Sequence, residues 1–256
     1  MHSMMMALAL STFRETVRDR IFYLVGVFGL VMLASTAVLS PLTVGARGKI
    51  MSDVGLAAMS LFGLLVVVFV GTGMVRKEMD KGTILTILSK PVGRREYLVG
   101  KFLGLNLTLL AMLTVMGLLF LLMTFLAPGT FSLRFVPVFY LTFLELTLIN
   151  AVAVLFSTCV SPILAAVFTL GAFVVGHLSQ SIRDFGLVQG SPFQQKMSEV
   201  VYYLIPNLEV FNVRGAVVHG DMVSGHLLLM ATVYGLGWTI LLLMLAGAVF
   251  SRRELR

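Results

Sequence analysis

VPVFYLTFLELTLINAVAVLFSTCVSPILAAVFTLGAFVVGHLS, residues 136–179, decides the fold. It holds two apolar runs, 136–156 and 163–179, divided only by a few residues around Ser161 and Pro162. Each run is close to the ~20 residues that a helix rising about 1.5 Å per residue needs to cross about 30 Å of hydrocarbon. Two spanning helices joined as a tight hairpin are therefore expected. Outward from this pair, four further runs of similar character lie at about 21–39, 54–75, 102–126 and 227–250, with Pro41, the pair Pro128 and Gly129, and Pro162 punctuating their ends. The composition agrees with this pattern: 58% of the 256 residues are hydrophobic and only 12% charged. The mean hydropathy is +0.99, a surplus that one soluble domain does not carry. The expected fold class is an all-α membrane protein, with six transmembrane helices in a single domain over 1–256.

The ends and loops refine this expectation. Met6, Leu10, Phe13 and Val17 recur at helical spacing while Arg14, Glu15, Arg18 and Asp19 take the other face, which predicts an amphipathic interfacial helix within 1–20. A cleaved signal peptide fits poorly, because the charges come late and five more runs follow. Lys and Arg number nineteen. With the N-terminus inside, thirteen of the nineteen fall on the cytoplasmic side, seven of them between Arg76 and Lys101, and both ends are cytoplasmic. The charge of +7 thus reads as membrane topology, not as a nucleic-acid surface, since no basic stripe is interleaved with aromatics. The localisation expected is the cytoplasmic (inner) membrane of the cell, multi-pass and in contact with lipid.

Between the fifth and sixth runs lies a long external segment, 180–226. Tyr202, Tyr203, Leu204, Ile205, Pro206, Asn207, Leu208, Val210, Phe211 and Val213 make it too apolar for a flexible linker, so short helices packed on the outer ends of the spans are expected, with Pro206 and Asn207 as candidate functional positions.

Several chemistries find no support. The string Gly45-Ala46-Arg47-Gly48-Lys49-Ile50 lacks the spacing and the Ser or Thr of a nucleotide-binding loop. His2, His177, His219 and His226 show no metal-site spacing, and no nucleophile elbow is present, so no catalytic or metal residue and no bound cofactor is expected. Cys159, the one cysteine, excludes an intrachain disulfide and reads as a small buried thiol at a helix end. Glu145 is the one carboxylate within a run, where a charge costs about 2.5–3.5 kcal/mol on insertion scales. It must be protonated, paired or facing water. Asn150 lies about 140° round the helix from it at 100° per residue, so these two intramembrane polar candidates do not share a face.

The cytoplasmic loop reads EMDKGTILTILSKPVGRREYLVGKFLG from Glu78 to Gly104. Gly82 and Thr83 make a turn and an N-cap, Ile84, Leu85, Ile87 and Leu88 supply a short apolar helix, and Pro91 disfavours helical geometry at Lys90. Gly93 allows a reversal, after which Arg94, Arg95 and Glu96 restart a helix running through Lys101 into the third run. The inside-positive rule explains the charge. It does not explain apolar residues facing the cytoplasm unless something covers them.

In the order Glu78, Gly82-Thr83, Ile84 to Leu88, Ser89, Pro91-Val92, Arg94-Arg95, Gly100-Lys101, the loop resembles that of the permease subunits of type-2 ABC exporters. Together with the N-terminal helix, the six runs, the hairpin and Ile205-Pro206-Asn207-Leu208, it looks closest to the branch that includes the permeases of nitrous oxide reductase maturation, over essentially the whole chain. The resemblance implies a dimer, or a pair with a similar permease, docked to a separate cytoplasmic ABC ATPase that carries the ATP and Mg and performs the hydrolysis. Residues 83–89 would be the coupling helix, with Glu78, Gly82, Thr83, Ile84, Ile87, Leu88, Ser89, Pro91, Arg94, Arg95 and Lys101 as the ATPase-coupling residues. The cargo is not written in this loop, and the external segment carries no ligand array that favours copper. Two other functions compete: a mechanical or scaffolding subunit that passes ATPase strokes to an external accessory protein, and an ion-coupled carrier centred on Glu145, against which stands the lack of an inverted sequence repeat.

Overall fold

A computed structural model describes residues 2–16, 22–39, 47–73, 93–126, 132–189 and 191–252. The described residues form α1 (His2–Thr16), α2 (Phe22–Leu39), α3 (Arg47–Val66) continued by a π turn (Val67–Gly71), α4 (Arg94–Leu126) and α5 (Val136–Cys159). After these come α6 (Pro162–Gln189), α7 (Pro192–Leu204), α8 (Arg214–His219) and α9 (Gly225–Arg252). Short 3-10 turns, Leu133–Phe135 and Leu208–Phe211, precede α5 and α8. Among the described residues no strand occurs.

Among the described residues five helical stretches are long and apolar enough to cross a membrane: Gly48–Gly71, Glu96–Leu126, Leu133–Cys159, Pro162–Gly186 and Gly225–Arg252. The first of the six expected runs corresponds to α2, whose apolar stretch within the described residues, Tyr23–Ser35, is shorter. Helices overrun the apolar runs where nothing breaks them. α3 begins at Arg47, ahead of residue 54, because Arg47, Lys49 and Asp53 end the apolar character without ending the helix. α6 passes Ser179 and continues to Gln189, with no proline before Pro192.

The core is built around α5. In its apolar window 78% of residues are buried, against 22% for α6 and for α9. α9 lies along α5 over the longest contact, and α3, α4 and α6 complete the ring. A helix enclosed on all sides must be apolar all round. Leu141, Leu146, Leu148, Ile149, Ala151, Ala153 and Val154 are accordingly sealed. The α5–α6 hairpin turns on Val160 and Ser161 alone, with Phe156 and Phe168 in contact at 5.4 Å between centroids. Cys159 ends α5 and is half-buried, not fully enclosed.

α1 packs along the first half of α4 through a face different from the expected one. Ala9, Thr12 and Thr16 are buried and Leu8 packs against the core, while Met6 and Leu10 point away. Val17, Arg18 and Asp19 lie outside the described residues. Close approach of the two backbones selects small residues at the contact. A Cβ at Gly104 would sit 2.6 Å from Thr12 Cβ and 2.7 Å from the Ala9 carbonyl oxygen, and one at Gly100 would sit 2.7 Å from Leu8 Cδ2. The apolar residues Met6 and Leu10 are thereby left free for lipid.

Gly104→Leu is expected to prise α1 from α4 and lower stability by about 1–3 kcal/mol, as overpacking does. Gly171→Ala, where an added Cβ meets nothing within 4 Å, should leave stability unchanged or slightly raised. Thermal unfolding of the two variants in detergent or nanodiscs checks the contrast.

Candidate functional site

Residues 78–91 of the loop expected on the cytoplasmic side, which include Glu78, Gly82, Thr83, Ile84, Ile87, Leu88, Ser89 and Pro91, lie outside the described residues, as do Pro41, Pro128 and Gly129. The described structure meets the loop at its two ends. On one side α3 passes into the π turn Val67–Gly71, whose Val67, Val68 and Gly71 are buried against α4, α5 and α6. On the other, Gly93 N–H donates to Glu96 Oε2 at 3.2 Å, and α4 begins at Arg94 and Arg95. Lys101 is buried about two turns further on, its Nζ 4.0 Å from Glu15 Oε2 on α1 and 6.0 Å from the centre of the Tyr97 ring. Tyr97 in turn stacks on Phe250 near the end of α9, at 6.1 Å. The second half of the loop is thus rooted in α1, α4 and α9 together.

Glu145 lies on the inward side of α5 with no solvent exposure. Three elements supply its partners. Ser60 Oγ of α3 donates to Oε1 at 3.3 Å, Arg214 of α8 donates through a guanidinium nitrogen to Oε2 at 3.3 Å, and His177 Nε2 of α6 stands 3.4 Å from Oε1. The other ring nitrogen of His177 is 3.1 Å from the Phe173 carbonyl oxygen. Both carboxyl oxygens are therefore occupied from within the protein.

Asn150 faces elsewhere. Its Nδ2 donates to the Phe102 carbonyl oxygen and to Asn106 Oδ1 on α4, each at 3.2 Å. Its Oδ1 lies beside Gly71 of the π turn and has no hydrogen-bond partner among the described residues. The two intramembrane polar residues thus contact different helices, as their separation round α5 requires.

The segment between α7 and α9 is packed into the helices. Asn207 Oδ1 accepts from the Glu209 N–H at 2.9 Å and so caps the 3-10 turn, while the Asn207 N–H donates to Tyr234 Oη of α9 at 2.7 Å. Leu208, fully buried, sits over Gly176 of α6, where a Cβ would come within 2.7 Å of Leu208 Cγ and 3.0 Å of the Pro206 carbonyl oxygen. Phe211 is equally buried, against Gly235 and Tyr234. α8 ends at Gly220, whose φ of 101° suits only glycine among common residues, and Arg134 donates to the Gly220 carbonyl oxygen at 2.9 Å. Arg214 at its other end reaches Glu145, so α8 is pinned at both ends to the α5 region.

Sequence reasoning missed Ser60, His177 and Arg214 as partners of Glu145. The signal was available for Arg214: it stands between Val213 and Val217-Val218, all buried, and a cation in such a stretch needs an acid. His177 and Ser60 carry no comparable signal. Among the described residues no group of three His, Cys, Asp or Glu is arranged to hold a metal.

With the geometry described, comparison with known proteins places the chain. The model of the ABC-2 family transporter proteins matches residues 6–255, and the chain belongs to that family: it is a multi-pass membrane permease subunit of an ABC transporter. The family implies an ABC ATPase as its partner. No curated protein matches the chain significantly.

Asn150→Leu is expected to remove the donor to Asn106 Oδ1 and the second donor to the Phe102 carbonyl, at a cost of about 0.6–2 kcal/mol, the range for hydrogen bonds between membrane helices. Tyr234→Phe should cost about 1 kcal/mol through the lost partner of the Asn207 N–H. Unfolding of each purified variant provides the comparison.

Proposed function

We propose that this chain is the membrane-spanning half of an ATP-driven exporter, forming a translocation path with a second permease copy and coupled to a separate cytoplasmic ABC ATPase through residues 83–89. Membership of the ABC-2 transporter family over residues 6–255 carries the reading. The order of the loop residues supports the finer assignment. Glu78 opens the loop, Gly82 and Thr83 start its helix, Ile84, Ile87 and Leu88 make the apolar face, and Ser89 and Pro91 end it. Arg94, Arg95 and Lys101 follow at the root of α4, where Lys101 acts from within by fixing α4 to α1. ATP and Mg belong to the partner, and this chain performs no hydrolysis.

Six crossings with both termini cytoplasmic complete the topology. α2 supplies the sixth: its 18 residues span about 27 Å at 1.5 Å per residue, close to the hydrocarbon thickness. Support for a second copy comes from α3, on which Lys49, Asp53, Ala57 and Leu61, spaced four apart, form an exposed row on a largely buried helix. The branch is that of the nitrous oxide reductase maturation permeases, read as a kinship of sequence and not as a copper cargo. The packed external segment also favours the mechanical variant of this function, in which strokes reach an external accessory protein, because its links to α5, α6 and α9 suit transmission of force.

The full-length protein is expected to co-purify with an ABC ATPase from its own cell. Ile87→Asp or Leu88→Asp should abolish that association, and the double reversal Arg94→Glu with Arg95→Glu should lower ATPase-coupled activity at least tenfold. A purified permease that never associates with an ATPase, with the reversal leaving activity unchanged, would sink the reading.

A further inference from the structure

Glu145 has the features of a load-carrying joint and lacks those of an open binding site. It is wholly enclosed, and each oxygen has a partner within the protein, Ser60 at Oε1 and Arg214 at Oε2, with His177 Nε2 also beside Oε1. The partners belong to three separate elements. Ser60 lies on α3, the helix that runs through the π turn toward the cytoplasmic loop, and Arg214 opens α8 in the segment between α7 and α9. His177 lies on α6, which continues into the hairpin with α7. One carboxyl group therefore touches α3, α6 and α8 at once, at a point where α3 and α8 also pack directly against each other.

We propose that Glu145, with Arg214 as its principal partner, is the mechanical link that carries displacement of α3 to the segment 205–220. The proposal rests on the function proposed above and adds the route of the stroke. Three observations support it. α8 is held at both ends, by Glu145 at Arg214 and by Arg134 at Gly220, so it follows α5 as a rigid piece. Ser60 of α3 and Arg214 of α8 each stand 3.3 Å from a carboxyl oxygen of the same residue, so a shift of either element is felt at one group. Full separation is opposed, because a buried carboxylate without Arg214 has no water to turn to. The elements consequently move together. The π turn, a wide turn of the kind found at functional positions in helices, lies between this joint and the loop and gives α3 a place to bend.

The test uses the permease bound to its ATPase, with Cys159→Ser removing the native thiol and Gly215→Cys adding one at an exposed position on α8 where nothing lies within 4 Å of a new Cβ. Labelling by a membrane-impermeant maleimide is expected to differ at least fivefold between the nucleotide-free and the ATP-trapped complex. Adding Arg214→Met should reduce that difference below twofold while the ATPase stays bound, and Arg214→Lys should restore most of it. A merely structural role of Arg214 would change both rates together and leave their ratio intact. A full nucleotide-dependent difference with Arg214→Met in place overturns the proposal, and so does the absence of any difference in the parent complex. Should no ATPase bind at all, the function proposed above fails, and the joint is judged on the permease alone by hydrogen exchange. Glu145→Gln should then speed exchange at least tenfold in residues 208–220 and 51–66 and leave α4 unchanged, whereas wild-type rates in both stretches overturn it.

Discussion

A carboxyl group enclosed in the middle of a membrane bundle sets the terms for the rest of this structure. Placing Glu145 in the hydrocarbon costs about 2.5–3.5 kcal/mol if it finds no partner, and the protein offsets this with groups from three elements brought to one point. That requirement explains why α8, six residues long and unable to persist alone, holds a fixed position. It also explains why α3, α5 and α6 meet where they do. An apolar residue at 145 would leave Arg214 as the unpaired charge in a buried apolar segment, so the two residues are constrained jointly.

Around this point the packing follows from the sizes of side chains. Helices in lipid gain little from apolar character as such and associate through close fit and hydrogen bonds. Gly100 and Gly104 admit α1 to α4, and Gly176 admits Leu208 to α6. α5, buried on all sides, carries the polar groups Glu145 and Asn150 that the surrounding helices satisfy. The arrangement gives the chain two anchored regions: α1, α4 and α9 around Tyr97 and Lys101 at the root of the loop, and the segment 205–220 clasped to α5, α6 and α9 at the other end.

Much of the fold was legible in the sequence because runs of about twenty apolar residues have few physical outcomes. Five of the spans, the two-residue hairpin at Val160 and Ser161, and the short helices before α9 were readable from length, proline placement and local apolar content. The packing face of α1 was not: hydrophobicity singled out Met6 and Leu10, whereas the contact with α4 is decided by closeness of approach, which favours Ala9 and Thr12. The starts and ends of α3 and α6 differ from the apolar limits for a related reason, since helices end at breakers and not at the first charge. Glu145 stood out as an acid in a span, but its partners are 85, 69 and 32 residues away in the chain, and no local pattern encodes a contact at that separation. Among them only Arg214 was inferable, from its buried apolar neighbours.

The account depends most on the claim that residues 83–89 are gripped by a cytoplasmic ATPase. A photo-reactive amino acid placed at Ile87 in the full-length protein, in native membranes containing the candidate ATPase, measures this directly. The account predicts a single crosslinked species containing the ATPase, with a yield that changes when ATP is trapped. A crosslink to lipid alone, with the ATPase present and active, would contradict it.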